Sequence, residues 1–339
     1  MSAFIRTFQQ FVDQVGVNVN GELAEVQRSL RVAEGGRLRE LLGPLYASLQ
    51  ALPDEDVASL LEPGSPDVRA ELLRLVQCAA ANLAMVHYLP FVQVQIDSVG
   101  VSLLVTKTAF QWQINDLKGA FTATGYTALE DVLRYLEAHR ESPELAAWAT
   151  SPAAARSRRH FLATATEFSL HYDIADSRLT YLALLATLRK VEAFQLEPVL
   201  GTSYFQELKG ELLTGTLSAD SQLVLDEYLR PALAHLVVAK AVPEVGLTFQ
   251  GSSLQLNIYR FDDANNKEAD AGLDALLTLK IDQARKDGLV YLTKLRTFLN
   301  ANASATRFAT YFASPTYTDP TAPRPVVSNA AENKTYRFF

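Results

Sequence analysis

LRVAE at Leu30–Glu34 returns as LRKVE at Leu188–Glu192, 158 positions further along the chain. The same spacing aligns further residues in the same order: Leu38 with Leu196, Leu42-Gly43 with Leu200-Gly201, and Tyr46 with Tyr204. Slightly different spacings extend the match to both sides: Phe4, Ile5 and Phe11 with Phe161, Leu162 and Phe168, Leu83 with Leu236, Pro90 with Pro243, and Gly125, Leu129 and Leu136 with Gly288, Leu292 and Leu299. A collinear series of this kind indicates that one module has been duplicated in tandem.

Each repeat predicts the same order of elements. Apolar residues at helical spacing predict an opening helix, a second helix, a short helix near Gly43 or Gly201, and a long helix that ends before Pro90 or Pro243. The period then changes to two in VQVQIDSVGVSLLVT and in GLTFQGSSLQLNIYRF, which is typical of a β-hairpin. A last long helix follows in both repeats. The predicted fold class is therefore mainly α with small β-hairpins (α+β), as a tandem duplication of a helices–hairpin–helix module.

Four parts are expected along the chain. Residues 1–142 form the first helical module with its hairpin, and residues 157–302 form the second, homologous module. The alanine-rich stretch 143–156, with two prolines, predicts a short linker. Residues 303–339 contain several prolines and no helical period, which predicts an extended C-terminal arm. Such an arm would pack against its own domain or against a neighbouring subunit.

The bulk composition is that of an ordinary globular protein. The chain has 339 residues, of which 48% are hydrophobic and 20% charged, and its net charge is −7. This charge disfavours a protein that wraps nucleic acid, because such proteins need a basic face. One cysteine, Cys78, excludes an internal disulfide. The N-terminus lacks an apolar run of signal-peptide length, and the most apolar stretches, 75–86 and 179–188, are too short to span a bilayer. We expect a soluble protein made in a reducing cytoplasm.

No combination of residues predicts catalysis or metal binding. The five histidines include no H-x-x-x-H pair, and no phosphate-binding G-x-x-x-x-G-K-[ST] or G-x-G-x-x-G loop occurs. FDDANNKEAD at Phe261–Asp270 departs from the calcium-loop pattern, since Ala264 stands where a ligand belongs. His171 and Asp173 have no nucleophile elbow to serve, and a polar helix end explains them better. We therefore expect no enzymatic activity, no cofactor and no metal.

Protein contacts are the remaining function for the distinctive surface residues. RSRRH at Arg156–His160 is the densest positive cluster; it would contact DNA phosphates, acidic groups of another subunit, or solvent. In so acidic a chain we place protein contacts before DNA. Hairpin edges and extended arms can add to a neighbour's surface. The predicted interface residues are Arg156, Arg158, Arg159, Ile96, Val101, Phe249, Leu254, Tyr336, Phe338 and Phe339.

Three segments carry a family resemblance. They read NLAMVHYLPFVQVQIDSVGV…TAFQWQINDLKGAF, FLATATEFSLHYDIADSRLTYLALLATLRKVE and PVLGTSYFQEL. They resemble an uncharacterised family encoded in prophage-like and phage-tail gene clusters, and the likeness spans most of residues 1–302. Its motifs are structural rather than catalytic. More remotely, the long helix, the excursion and GYTALEDVLRYLEAHRES together resemble phage head–tail connector proteins, which form rings between portal and tail. This chain differs in carrying two modules and a long tail.

The resemblance implies a structural head–tail connector, neck or tail-terminator-like protein that assembles as a homomeric ring. It implies assembly in the bacterial cytoplasm and a final place in a virion or phage-like particle. The expected partners are further copies of the chain and other neck, tail or portal proteins, with DNA only as cargo through a channel and no membrane. About six copies would present about twelve quasi-equivalent modules. The alternative is an intracellular protein-binding adaptor without catalytic activity, whose two halves grip a protein ligand.

Overall fold

The computed structural model describes residues 4–16, 21–62, 64–92, 94–97, 100–103, 111–245, 247–250, 253–256 and 267–322. Side chains are described in these ranges except in the strands and at 111, 157, 245 and 267–274. The chain divides into two compact units. Unit 1 comprises Met1–Arg159 and Ala163–Ala183, and unit 2 comprises His160–Leu162 and Leu184–Phe339.

Unit 1 consists of short helices around a pair of long ones. Its helices are α1 (Phe8–Val12), α2 (Leu23–Ala33), α3 (Arg39–Leu42), α4 (Pro44–Gln50), α5 (Asp54–Leu61), α6 (Val68–Val92), α7 (Gln111–Ala138), α8 (Ala146–Ala149), α9 (Pro152–Arg158), α10 (Ala165–His171) and the beginning of α11 (Arg178–Val191). A π-helical turn, Glu34–Leu38, joins α2 to α3. The core lies between α6, α7 and α2, because each presents an apolar stripe to the others.

Unit 2 repeats this order. The rest of α11 is followed by α12 (Glu197–Leu200), α13 (Thr202–Thr214), α14 (Ala219–Val224), α15 (Arg230–Val245), α16 (Lys267–Asn302) and α17 (Ala309–Phe312). A π-helical turn, Glu192–Leu196, again joins the second helix of the repeat to the next one. A further π-helical turn, Leu225–Leu229, lies between α14 and α15. The repeat therefore preserves the order of elements and the position of the first of these turns, although the turn in unit 1 is kinked at Gly36.

The predicted fold class is wrong: the part of the chain that the structure describes is mainly α, with 78% helix, and not α+β. In that part the backbone pairs only isolated four-residue segments, β1 (Val94–Asp97) with β2 (Gly100–Leu103) and β3 (Leu247–Gln250) with β4 (Ser253–Leu256), both antiparallel. An isolated two-stranded ribbon is marginally stable and contributes no layer to a core. The alternating apolar pattern overstated the β contribution because it reports a local period and not a sheet.

A glycine allows close approach of the two long helices in each unit. A Cβ atom on Gly125 of α7 would lie 2.8 Å from Cγ of Leu83 on α6. A Cβ atom on Gly288 of α16 would lie 2.5 Å from Cγ of Leu236 on α15. Both pairs of residues are aligned in the sequence repeat. Close packing of the two long helices therefore requires glycine at the aligned position in both units.

The segments that follow the long helices fold back in both units. Trp148 of α8 is buried and donates from Nε1 to the Leu41 carbonyl oxygen at 2.9 Å. Its aligned counterpart, Tyr311 of α17, is fully buried, and its ring centroid lies 6.1 Å from that of Tyr204. The predicted linker 143–156 thus belongs to unit 1, and residues 303–322 of the predicted arm belong to unit 2. Residues 323–339 lie outside the described residues.

Helix α6 is the one helix in the described residues that is long and apolar enough to cross a membrane by length and composition. The helix has 25 residues and is therefore longer than the apolar stretch 75–86 that it contains. Half of its most apolar window is buried inside the protein. Two polar side chains on it are buried and bonded. Gln77 donates to the Phe4 carbonyl oxygen at 2.9 Å, and Asn82 donates to the Gln14 carbonyl oxygen at 3.0 Å. A helix in the core of a folded domain shows the same partial burial and the same length and composition.

Candidate assembly surfaces

The three arginines of the predicted interface lie at the surface of unit 1. Arg156 and Arg158 are in the last turn of α9, and Arg159 follows it. The Arg156 guanidinium lies 3.1 Å from the Glu40 carboxylate, and both side chains are more than half exposed. Partial burial, together with the charge of Arg140, lowers the pKa of Arg158. The cluster is thus positioned by contacts inside unit 1, and Arg156 already has an acidic partner there.

The other predicted interface residues are not placed in atomic detail. Ile96, Val101, Phe249 and Leu254 have strand backbone, and their side chains lie outside the described residues. The aromatic residues at the end of the chain lie outside them entirely: Tyr336, Phe338 and Phe339. Their role in an interface stays a prediction.

In each repeat a buried glutamate accepts a hydrogen bond from the backbone near the start of the repeat. The sequence pattern did not predict this contact. Glu34, 2% exposed, accepts a hydrogen bond from the Phe4 backbone N–H at 3.2 Å. Glu192, 5% exposed, accepts one from the Phe161 backbone N–H at 2.8 Å. Each glutamate begins the π-helical turn of its unit. The sequence signal for this contact was the glutamate that ends both LRVAE and LRKVE, because it places a charge on a helix face that is otherwise apolar.

In unit 2 this glutamate has two further partners. His160 Nδ1 lies 2.8 Å from one carboxylate oxygen, and Lys209 Nζ lies 2.8 Å from the other. Burial alone would raise the pKa of Glu192, but hydrogen bonds and charge from His160 and Lys209 hold it below its ordinary value. Burial lowers the pKa of Lys209, whose ammonium also lies 3.8 Å from the centroid of the Phe161 ring. Both carboxylate oxygens are occupied by protein donors, so the cluster serves as an anchor.

Other polar groups considered for chemistry are engaged in local structure. Asp173 accepts from the Ala175 backbone N–H at 2.7 Å and thereby stabilises a turn. A cleft of about 490 Å³ in unit 1 contains Arg74, whose side chain contacts Glu71 and the carbonyl oxygens of Leu61 and Glu62. Within the described ranges, no group of three or more His, Cys, Asp or Glu side chains could hold a metal ion.

Six exposed apolar side chains lie toward the same end of the long helix pair in the two units, three in each unit. In unit 1 they are Phe91 and Val92 at the end of α6 and Trp112 at the start of α7, with Phe91 and Trp112 more than 60% exposed. In unit 2 they are Leu276, Leu277 and Leu279 in the first half of α16. We call these two sets the tip patches. Clustered apolar exposure of this kind marks interaction surfaces.

Comparison with known proteins gives one family. Its profile matches residues 38–158 and again residues 196–321. The two matches start and end at the spacings found in the sequence repeat, which confirms the tandem duplication. No curated protein and no solved structure matches the chain. Because the two matches cover well over half of its residues, the chain belongs to the family of unknown function DUF6712, whose domain it carries twice.

Proposed function

We propose that this protein is a structural component that assembles with copies of itself into a ring. The observation that carries the proposal is the pair of tip patches, because the same end of the same helix pair exposes large apolar side chains in both repeats. Burying each such side chain contributes about 1.5–3 kcal/mol. Repeated modules of this kind build extended or closed surfaces more often than a single asymmetric pocket.

The place of the ring is proposed from the sequence resemblance alone. It is the neck or tail end of a phage or phage-derived particle, in which the protein acts as a connector or tail terminator. It would assemble in the bacterial cytoplasm and contact other neck, tail or portal proteins. DNA would be a partner only as cargo through a channel. No catalytic step is needed for this role.

Assembly is tested by measuring the mass of the purified chain over a range of concentrations and by imaging the particles by negative-stain electron microscopy. We expect closed rings. A variant with Trp112→Ser and Leu279→Ser should assemble much more weakly, because it loses an apolar anchor from each tip patch. Leu213→Ser is the matched control, since Leu213 on α13 is similarly exposed, at 61%, but lies outside the tip patches.

Two outcomes would contradict the proposal. A wild-type chain that stays monomeric at high micromolar concentration would exclude self-assembly and would favour the adaptor function instead. Rings that form equally well in the tip-patch variant would show that the tip patches do not carry the assembly.

A further inference from the structure

Within unit 1, one side of α7 is covered by the segment Ala163–Ala183. The Glu130 carboxylate on α7 accepts hydrogen bonds from Ser177 Oγ at 2.5 Å and from the backbone N–H groups of Arg178 and Leu179 at 2.7 and 2.9 Å. Two turns further along α7, the Glu137 carboxylate accepts from Arg178 Nε at 3.0 Å. These bonds fix the start of α11 on the last long helix of the first repeat.

We call Glu130, Leu133 and Glu137 the α7 face. The three residues lie on one side of the helix, because they are three, four and seven positions apart. Leu133 is only 5% exposed, and Leu179 and Leu182 of α11 pack against the hydrophobic core to which it belongs. The contact therefore combines apolar burial with carboxylate bonds to a helix start.

The corresponding side of α16 is exposed at two of the three aligned positions; at the third, Asn300, which aligns with Glu137, accepts hydrogen bonds from Tyr311 Oη and from the Thr318 backbone N–H. The repeat spacing aligns Glu130 with Thr293 and Leu133 with Arg296. Both Thr293 and Arg296 are exposed, whereas Leu133 is buried. Leu289, one turn before Thr293, is 50% exposed. We call Leu289, Thr293 and Arg296 the α16 face.

The partner segment is also open in the first repeat. The spacing of LRVAE and LRKVE aligns Leu179 with Gly21, Leu182 with Ala24 and Ala183 with Glu25. We call Gly21–Glu25 the head segment. Gly21, Glu22, Ala24 and Glu25 are exposed, whereas Leu179 and Leu182 are partly buried. Within the described residues, each repeat thus leaves exposed a part of one half of the contact that the chain makes once internally.

The two open halves carry opposite charges, although these charges do not stand at the positions that are charged in the internal contact. The α7 face carries carboxylates opposite Arg178. The α16 face instead carries Arg296, and the head segment carries Glu22 and Glu25. Pairing the acidic head segment with the acidic α7 face would place like charges together, which costs several kcal/mol across an interface. The opposite charges of the α16 face and the head segment therefore favour pairing between these two surfaces.

We propose that the α16 face receives the head segment of a second copy of this chain. The contact joins two different surfaces, so it is heterologous, and repetition of a heterologous contact closes into a ring when the rotation permits. This inference deepens the proposed function and rests on it. It assigns a polarity to the ring, with the second repeat of one chain next to the first repeat of the following chain.

Charge reversal in separate chains tests the contact. Arg296→Glu alone should weaken assembly about a hundredfold in dissociation constant, since it brings like charges together. Glu22→Arg with Glu25→Arg in one chain should weaken it similarly. Mixing the two variants in equal amounts should restore rings, because each altered surface then meets a complementary one in a neighbouring chain. Circular dichroism checks that each variant is folded.

Lys294→Glu is the matched control. Lys294 is exposed and lies two residues before Arg296, on the opposite flank of the exposed surface of α16. The Lys294→Glu substitution changes the net charge of the chain by the same amount as Arg296→Glu and should leave assembly unchanged. Rings that survive both charge reversals would overturn this contact while leaving ring assembly intact. Failure of the mixture to restore rings would overturn it as well, and a monomeric wild-type chain would end both proposals.

Discussion

Replacing Gly288 by alanine should destabilise unit 2, although alanine is the better helix former. The new Cβ atom would lie 2.5 Å from Leu236 Cγ and 3.2 Å from the Ala232 carbonyl oxygen. Both atoms are close to the backbone of α15 and move little, so we expect an overpacking cost near the upper end of the usual ~1–3 kcal/mol. The gain in helix propensity is about 1 kcal/mol. The expected net loss is therefore about 1–2 kcal/mol.

The matched control is Gly210→Ala in α13, where a Cβ atom meets nothing within 4 Å. This variant should gain up to about 1 kcal/mol. Native-state hydrogen exchange of α15 and α16 amides measures the stability of unit 2 without assuming that the whole chain unfolds in one step. In a Leu236→Ala background most of the penalty at Gly288 should disappear. If Gly288→Ala stabilises unit 2 as much as Gly210→Ala does, the packing argument is refuted.

Two further predictions concern carboxylates that accept hydrogen bonds from a distant backbone N–H. Glu192→Gln should destabilise unit 2 by about 3–5 kcal/mol at neutral pH, because it leaves Lys209 buried without its counter-charge. The lowered pKa of Glu192 means that its contribution is present above 4.5 and is lost as pH falls through the lower folded value, so acid titration of unfolding should show this loss in the wild type and not in the variant. Glu130→Ala should cost about 1–2 kcal/mol and accelerate hydrogen exchange at the Arg178 and Leu179 amides. Asp131→Ala, which removes only an exposed pair with Arg134, should leave that exchange unchanged.

The helices and the duplication were predictable because they depend on local periodicity and on self-comparison. The aligned glycines at 125 and 288 fall at equivalent helix crossings, and the aligned residues Trp148 and Tyr311 close equivalent parts of the two units. The closing segments were harder to identify. Proline and alanine between short apolar groups predict a linker, and only tertiary contact shows that Trp148 and Tyr311 are buried.

The carboxylates that bind distant backbone N–H groups could not be assigned from periodicity. Glu130 and Glu192 stand in ordinary helical sequences, where an acidic residue predicts a solvent-facing position. Their partners are 17 to 49 positions away, and one sequence does not show which distant donors meet which carboxylate. The β-hairpin pattern failed for a related reason, since alternation is a local property and a sheet requires further strands.

Helix α11 is divided between the two units. The boundary of the duplicated sequence therefore differs from the boundary between the folded units. Residues 178–183 belong to unit 1, and residues 184–191 belong to unit 2. A truncated chain that ends with the first family match, at residue 158, would lack Ala163–Ala183, so Glu130 and Glu137 would lose the hydrogen bonds that this segment donates. Isolated halves are therefore poor substitutes for the whole protein.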